Sequence, residues 1–144
     1  MAQSGRRPLS PHLTIWKWGP HMLLSILHRV TGNGMAILGG LGFTWWLFAA
    51  ASGPMAYANF QYYVWQAEAG DLLGLAANVI SRIVLIGLSW AFFQHMLSGL
   101  RHLVMDMGAG YELQANKRWS MVILTSSIVL TVLFWAWIFA GRGL

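Results

Sequence analysis

Charge is scarce in this chain: of 144 residues, 9% are charged and 57% are hydrophobic. So little polar surface cannot cover a water-soluble fold of that size, which leaves a single membrane domain. Cysteine is absent. That excludes a disulfide, a thiolate metal site and a cysteine-ligated iron–sulfur cluster within the chain. Any redox chemistry therefore needs a bound cofactor, and the five histidines are the available ligands. Acidic residues are the rarest ionisable class, four against nine Lys and Arg, giving a net charge of +5. The basic residues flank apolar runs and never form a dense patch, so nucleic acid is not expected as a partner. Residues 1–9 carry arginines but no apolar run, which does not read as a cleavable signal peptide, so insertion depends on the first span.

What the chain has in quantity is apolar length and tryptophan. Val30 to Ala51, Ile83 to Leu100 and Trp119 to Ala140 lack charge over lengths that cross roughly 30 Å of hydrocarbon at about 1.5 Å per residue. Apolar residues continue upstream of the second run through Leu72 to Ile80, so Arg82 is expected to snorkel at the outer surface. Of the nine tryptophans, Trp16, Trp18, Trp119, Trp135 and Trp137 lie near the ends of runs, where indoles suit the headgroup level. The expected architecture is an all-α membrane protein with three transmembrane helices, over about 21–51, 72–105 and 119–140. A segment of residues 1–20 precedes a single transmembrane domain of residues 21–144.

Local signals set the boundaries. Pro20 fits the opening turn of the first helix, Ser52-Gly53-Pro54 ends it, and a loop is expected from there to about Asp71. Gly108-Ala109-Gly110 breaks the second helix, and Lys117-Arg118 marks the start of the third. Arg6, Arg7, Lys17, Arg29, Arg101, Lys117 and Arg118 fall on one side, against Arg82 and Arg142 opposite. The positive-inside rule then places the N-terminus inside and the C-terminus outside.

An ionisable group within a span costs about 2.5 to 3.5 kcal/mol on insertion scales, so it faces protein, water or a cofactor rather than lipid. His95 is such a group, roughly 9 Å of helix rise inward of Arg101. With Ser98, Gly99, His102 and Asp106 it follows the spacing of one helical stripe, against which a flat ring could lie. Gly99 removes a side chain one turn from His95, opening room for a porphyrin or for a neighbouring helix. Arg101 and His102 sit at the boundary, where they either anchor the interface or meet carboxylates such as haem propionates. His95 and His102 are about 10 Å apart along one helix, so they cannot bind one iron from opposite sides. A second ligand must come from His28 or from another chain. Ser25 and Arg29 share a face of the first helix at i, i+4. A hydroxyl donor beside a cation at the membrane surface suits a quinone, whose carbonyl oxygens accept hydrogen bonds and gain charge on reduction. The plainer reading of that pair is a snorkelling arginine and a serine bonded back to its own helix.

Three blocks add to this. Arg7-Pro8-Leu9-Ser10-Pro11-His12-Leu13-Thr14-Ile15, Ser25-Ile26-Leu27-His28-Arg29-Val30-Thr31-Gly32, and His95-Met96-Leu97-Ser98-Gly99-Leu100-Arg101-His102-Leu103 with Asp106 occur in that order. Together they resemble the signature blocks of the cytochrome b (b556-type) membrane-anchor subunit of succinate dehydrogenase, in respiratory complex II. The resemblance implies one haem b, shared with a small membrane-anchor subunit that supplies the second axial histidine. His95 matches the axial ligand, and Ser25 and Arg29 match ubiquinone-site residues. His28 and His102, with Arg101, match positions near the haem propionates, and Gly99 packs against the haem. The implied partners are that small subunit, an iron–sulfur subunit, a flavoprotein subunit and the lipid bilayer, with ubiquinone as substrate. The implied location is a bacterial inner membrane rather than a mitochondrial one. Two positions depart from the pattern. Trp16 stands where Tyr is common, and Met105 stands where Trp is common, at the expected rim of the quinone pocket. The rival readings are a fumarate reductase anchor, a cofactor-free structural or transport-associated three-helix protein, and a self-sufficient haem protein using His28 and His95. The polar loops are too short to hold a flavin or substrate domain, so this chain by itself is not the succinate-oxidising catalyst.

Overall fold

The computed structural model describes residues 12–14 and 17–141. Arg6, Arg7, Trp16, Arg142 and most of the first signature block lie outside them. The fold is built from helices α1, Pro20–Ala51; α2, Pro54–Val64; α3, Leu72–Asp106; and α4, Leu113–Gly141. The described residues include no strand. Helices α1, α3 and α4 have 32, 35 and 29 residues and are apolar enough to cross a membrane. This is the expected all-α, three-span architecture. At about 1.5 Å per residue each is longer than the roughly 30 Å hydrocarbon layer, so the helices tilt or carry their charged ends beyond it.

Pro20 occupies the first turn of α1 after an extended Gly19, where its missing N–H leaves no bond unmade. Midway, Met35–Gly39 widens into a π-helical turn. Gly53, at φ 102°, turns the chain out of α1 into Pro54, a conformation that favours glycine. Here the structure corrects the sequence reading: residues expected as a loop form α2. Pro54 both stops one helix and opens the next, since proline is as suited to a first turn as it is hostile to an interior. The start of the third span is also corrected, from about 119 to Leu113. Lys117 and Arg118 lie within the helix and do not bound it, because both are good helix formers.

Helix α3 packs on α1, α2 and α4, and α1 also touches α4. What lies between them is mostly small and polar. Thr31, Gln94, Ser98, Ser120, Ser127 and Thr131 are buried, while large apolar side chains such as Leu41, Ile83 and Val132 face outward. This inversion suits lipid, where helices gain nothing by hiding leucine and associate through close approach and hydrogen bonds. Thr31, Ser89, Ser120 and Thr131 return their hydroxyl protons to carbonyls four residues back.

The junction of α2 with α3 is tied by side chains. Buried Asn78 donates to the carbonyls of Tyr62 and Tyr63, at 2.7 and 2.9 Å, and accepts from the Ala67 amide at 3.0 Å. Arg82 lies 5.1 Å from the Trp65 ring and donates to the Trp65 carbonyl, a bonded version of the expected snorkel. The Asp71 carboxylate caps α3, accepting from the Leu73 amide and the Tyr62 hydroxyl. A Cβ at Gly74 would collide with that carboxylate.

The Tyr62 bond holds Asp71 below the ordinary carboxylate range and pushes the Tyr62 hydroxyl up to about 12. A depressed folded pKa means the cap contributes fully above the unfolded carboxylate value, about 3.9. It is lost as pH falls through the folded value. The raised tyrosine contributes below its unfolded value of about 10, and its share is lost as pH rises toward 12. In Asp71→Ala, hydrogen exchange at the Leu73 and Gly74 amides should quicken severalfold at neutral pH, with Leu97 unchanged. Equal exchange at Leu73 in both proteins would contradict the cap.

Candidate functional site

Helix α1 begins where α3 ends and α4 begins, so the second and third signature blocks meet at one end of the bundle. Three histidines come together there. The rings of His28 and His95 stack with centroids 4.0 Å apart and planes 7° from parallel, and His102 meets His28 edge-on at 4.9 Å. The cluster does not by itself form a metal site: among the described residues no group of three His, Cys, Asp or Glu side chains converges on one point.

The environment of His95 fixes its tautomer. Its Nδ1 lies 3.0 Å from the His28 carbonyl and 3.5 Å from Thr31 Oγ1. The Thr31 hydroxyl gives its own proton to the Leu27 carbonyl at 2.7 Å, so Nδ1 faces only acceptors and must carry the ring proton. The lone pair is then on Nε2, which no hydrogen bond engages among the described residues. A neutral imidazole with one nitrogen pinned to a carbonyl and the other free is the state that ligates a metal.

Gly32 makes this placement possible. A Cβ there would lie 2.8 Å from His95 Cε1 and 3.2 Å from Nδ1. Gly99 faces the other ring of the stack, where its Cβ would meet His28 Cε1 at an ordinary 3.8 Å. Sequence spacing put Gly99 on the histidine stripe but could not show that Gly32, on the other helix, is the residue the imidazole rests against. The signal for it was Thr31-Gly32 one turn beyond His28. His28 Nδ1 and Ser98 Oγ are buried without partners.

Ser25 and Arg29 occupy one face of α1 near the same end, Ser25 half-buried and Arg29 exposed. Neither forms a hydrogen bond or ion pair among the described residues. Neither residue lines either of two grooves among the described residues. A groove of 360 Å³ lies between α3 and α4, and one of 530 Å³ lies between α3, α2 and the far half of α1. Arg101 is not drawn to the histidines. It lines the first groove and donates to the Asn116 side chain of α4. Met105, expected at a quinone rim, lines that groove as well.

Against this geometry, comparison with known proteins decides the family. A model of the succinate dehydrogenase/fumarate reductase transmembrane subunit matches residues 3–134. The chain belongs to that family. Among relatives, the succinate dehydrogenase cytochrome b556 subunit of Paracoccus denitrificans is 36% identical over 129 residues, covering 90% of this chain and 89% of that one. The b556 subunit of Rickettsia felis is 34% identical over 130 residues, covering 90% and 91%. The mitochondrial cytochrome b560 subunit of Mus musculus is 38% identical over 107 residues, covering 74% of this chain and 57% of the relative. Membership in the succinate dehydrogenase/fumarate reductase family thus extends across α3 into α4, beyond the blocks that carried the resemblance.

Proposed function

We propose that this chain is the haem b-binding membrane anchor of a succinate dehydrogenase and forms part of its ubiquinone-reduction site. The relatives named for succinate dehydrogenase and cytochrome b support the complex and the cofactor. The observation that carries the reading is the pinned His95 ring, with Nδ1 on the His28 carbonyl, Gly32 beneath it and Nε2 unbonded.

These residues fit haem ligation. His95 would hold the iron from this side, and His28 and His102 would stand around the propionates. The bound haem supplies a one-electron carrier within the membrane. His28 does not serve as the opposite ligand, because rings stacked face to face at 4.0 Å cannot both aim a nitrogen at an iron between them. The second imidazole, as the family resemblance implies, would come from the small anchor subunit. Arg101, which the block sets near the propionates, would turn its remaining donors to them while one of its nitrogens bonds Asn116 of α4.

For the quinone, Ser25 donates its hydroxyl proton to one ubiquinone carbonyl, and Arg29 stabilises the negative charge that grows on the oxygen as electrons arrive from the iron–sulfur subunit. Two electrons and two protons yield ubiquinol, with the protons taken from the aqueous side that the charged helix ends face. The remaining walls come from the iron–sulfur subunit and the small anchor subunit. Succinate oxidation is the work of the flavoprotein subunit. With its cation-rich end inside, the chain sits in a bacterial inner membrane with its N-terminus in the cytoplasm.

Haem content tests the shared ligation. The assembled complex should hold one haem b per copy of this chain by pyridine haemochrome, and this chain expressed by itself should hold essentially none. Low-spin haem in the lone chain would contradict the division of ligands between two subunits.

A further inference from the structure

Gln94 and Ser98 stand one turn apart on α3, and each is 0% exposed. Only atoms of this chain cover them, so lipid and neighbouring subunits at its surface cannot supply their hydrogen bonds. The Gln94 side chain meets Ser127 of α4, whose hydroxyl lies 2.8 Å from Oε1 and 2.9 Å from the Leu124 carbonyl. That hydroxyl has one proton for two acceptors. Given to Oε1, it leaves both N–H groups of Nε2 without an acceptor. Given to Leu124, it lets the amide turn over so that Nε2 donates to Ser127, and Oε1 becomes the end without a partner. In either orientation one end of this buried amide is unmet by protein. The Ser98 hydroxyl is unmet as well. Thr31, Ser89, Ser120 and Thr131 all donate to the carbonyl four residues back, and Ser98 does not.

We infer that one water molecule is held between the Gln94 amide and the Ser98 hydroxyl, completing the join of α3 to α4. Buried polar groups are bonded in folded proteins, to ordered water where the protein offers no partner. Spacing suits a single bridge. Side chains at i and i+4 share one face of a helix with Cβ atoms about 5–6 Å apart, and two groups bonded to one water at about 2.8 Å each stand about 4.5–5 Å apart. Chemistry selects the ligand. Water donates and accepts, so it serves the hydroxyl and either end of the amide, whereas an ion would find two neutral groups and no opposite charge. Ala91 and Ser98, the buried residues on either side of Gln94 along this face, are both small, so long side chains do not crowd the amide.

The test is a cryo-electron-microscopy map of the whole complex at a resolution that shows ordered water. A compact peak within about 3.2 Å of both Ser98 Oγ and the free end of the Gln94 amide is expected. Gln94→Met keeps the length of the side chain but not its polar end, and should lose the peak. Ser120→Ala, which removes a hydroxyl already bonded to the Asn116 carbonyl, should keep it. If Gln94→Met fails to assemble, the wild-type map decides the matter. A direct bond between the Gln94 amide and Ser98 Oγ with no peak beside them would overturn the proposal. So would a Ser98 hydroxyl turned onto the Gln94 carbonyl, or a peak that persists unchanged in Gln94→Met.

Discussion

Replacing Arg29 by alanine is expected to lower ubiquinone reduction by about 100-fold or more, the scale of losing a donor aimed at developing charge. Oxidation of succinate with a soluble artificial acceptor should stay within about twofold of wild type, because that route never passes through the membrane site. The separation of the two activities is the informative part. Arg29 is exposed and bonded to nothing among the described residues, so its truncation removes no internal support and the complex should assemble normally. Arg29→Lys keeps the charge but not the fork, and should recover part of the rate. If Arg29→Ala lost both activities together, the residue would be holding subunits in place, and the quinone assignment would fail.

A single methyl group at position 32 is expected to cost most of the haem. The Cβ of Gly32→Ala would press on His95 at 2.8 Å from Cε1, well inside van der Waals contact. The obstacle is a flat ring already fixed by stacking on His28 at 4.0 Å and at Nδ1 by the His28 carbonyl. The ring must swing, giving up its hydrogen bond and its aim together. Haem b per complex, measured from the reduced spectrum, should fall well below half of wild type. Gly34→Ala supplies the control, since nothing lies within 4 Å of its Cβ, and it should keep nearly all its haem. Equal retention in the two variants would mean that the imidazole is not seated against α1.

Different parts of this account were legible in the sequence to different degrees, and the reasons are physical. The three spans were plain because lipid demands long uncharged runs, and Pro20 and Gly108 marked boundaries through their own backbone chemistry. Helix α2 was missed because its mix of aromatic and polar residues, Tyr57 to Gln61, lacks both the length of a span and a clear one-sided pattern. What holds it in place is distant in sequence: Asn78 on α3 capping the carbonyls of Tyr62 and Tyr63.

At the site, helical spacing grouped His95 with Gly99 and His102 and grouped Ser25 with Arg29, since those relations lie within one helix. It could not show which face of α3 meets α1. The stacking of His28 on His95, the role of Gly32 and the turn of Arg101 toward Asn116 all depend on that contact between helices. A histidine ligand needs one nitrogen held and one free, and only the packing of α1 on α3 supplies the holder, the His28 carbonyl.

The central claim is that His95 Nε2 is this chain's bond to iron. Reduced-minus-oxidised spectra of the purified complex, wild type beside His95→Ala, test it most directly. A b-type α band that is present in the first and lost or converted to a high-spin form in the second is the predicted result. An unchanged low-spin band in His95→Ala would contradict it.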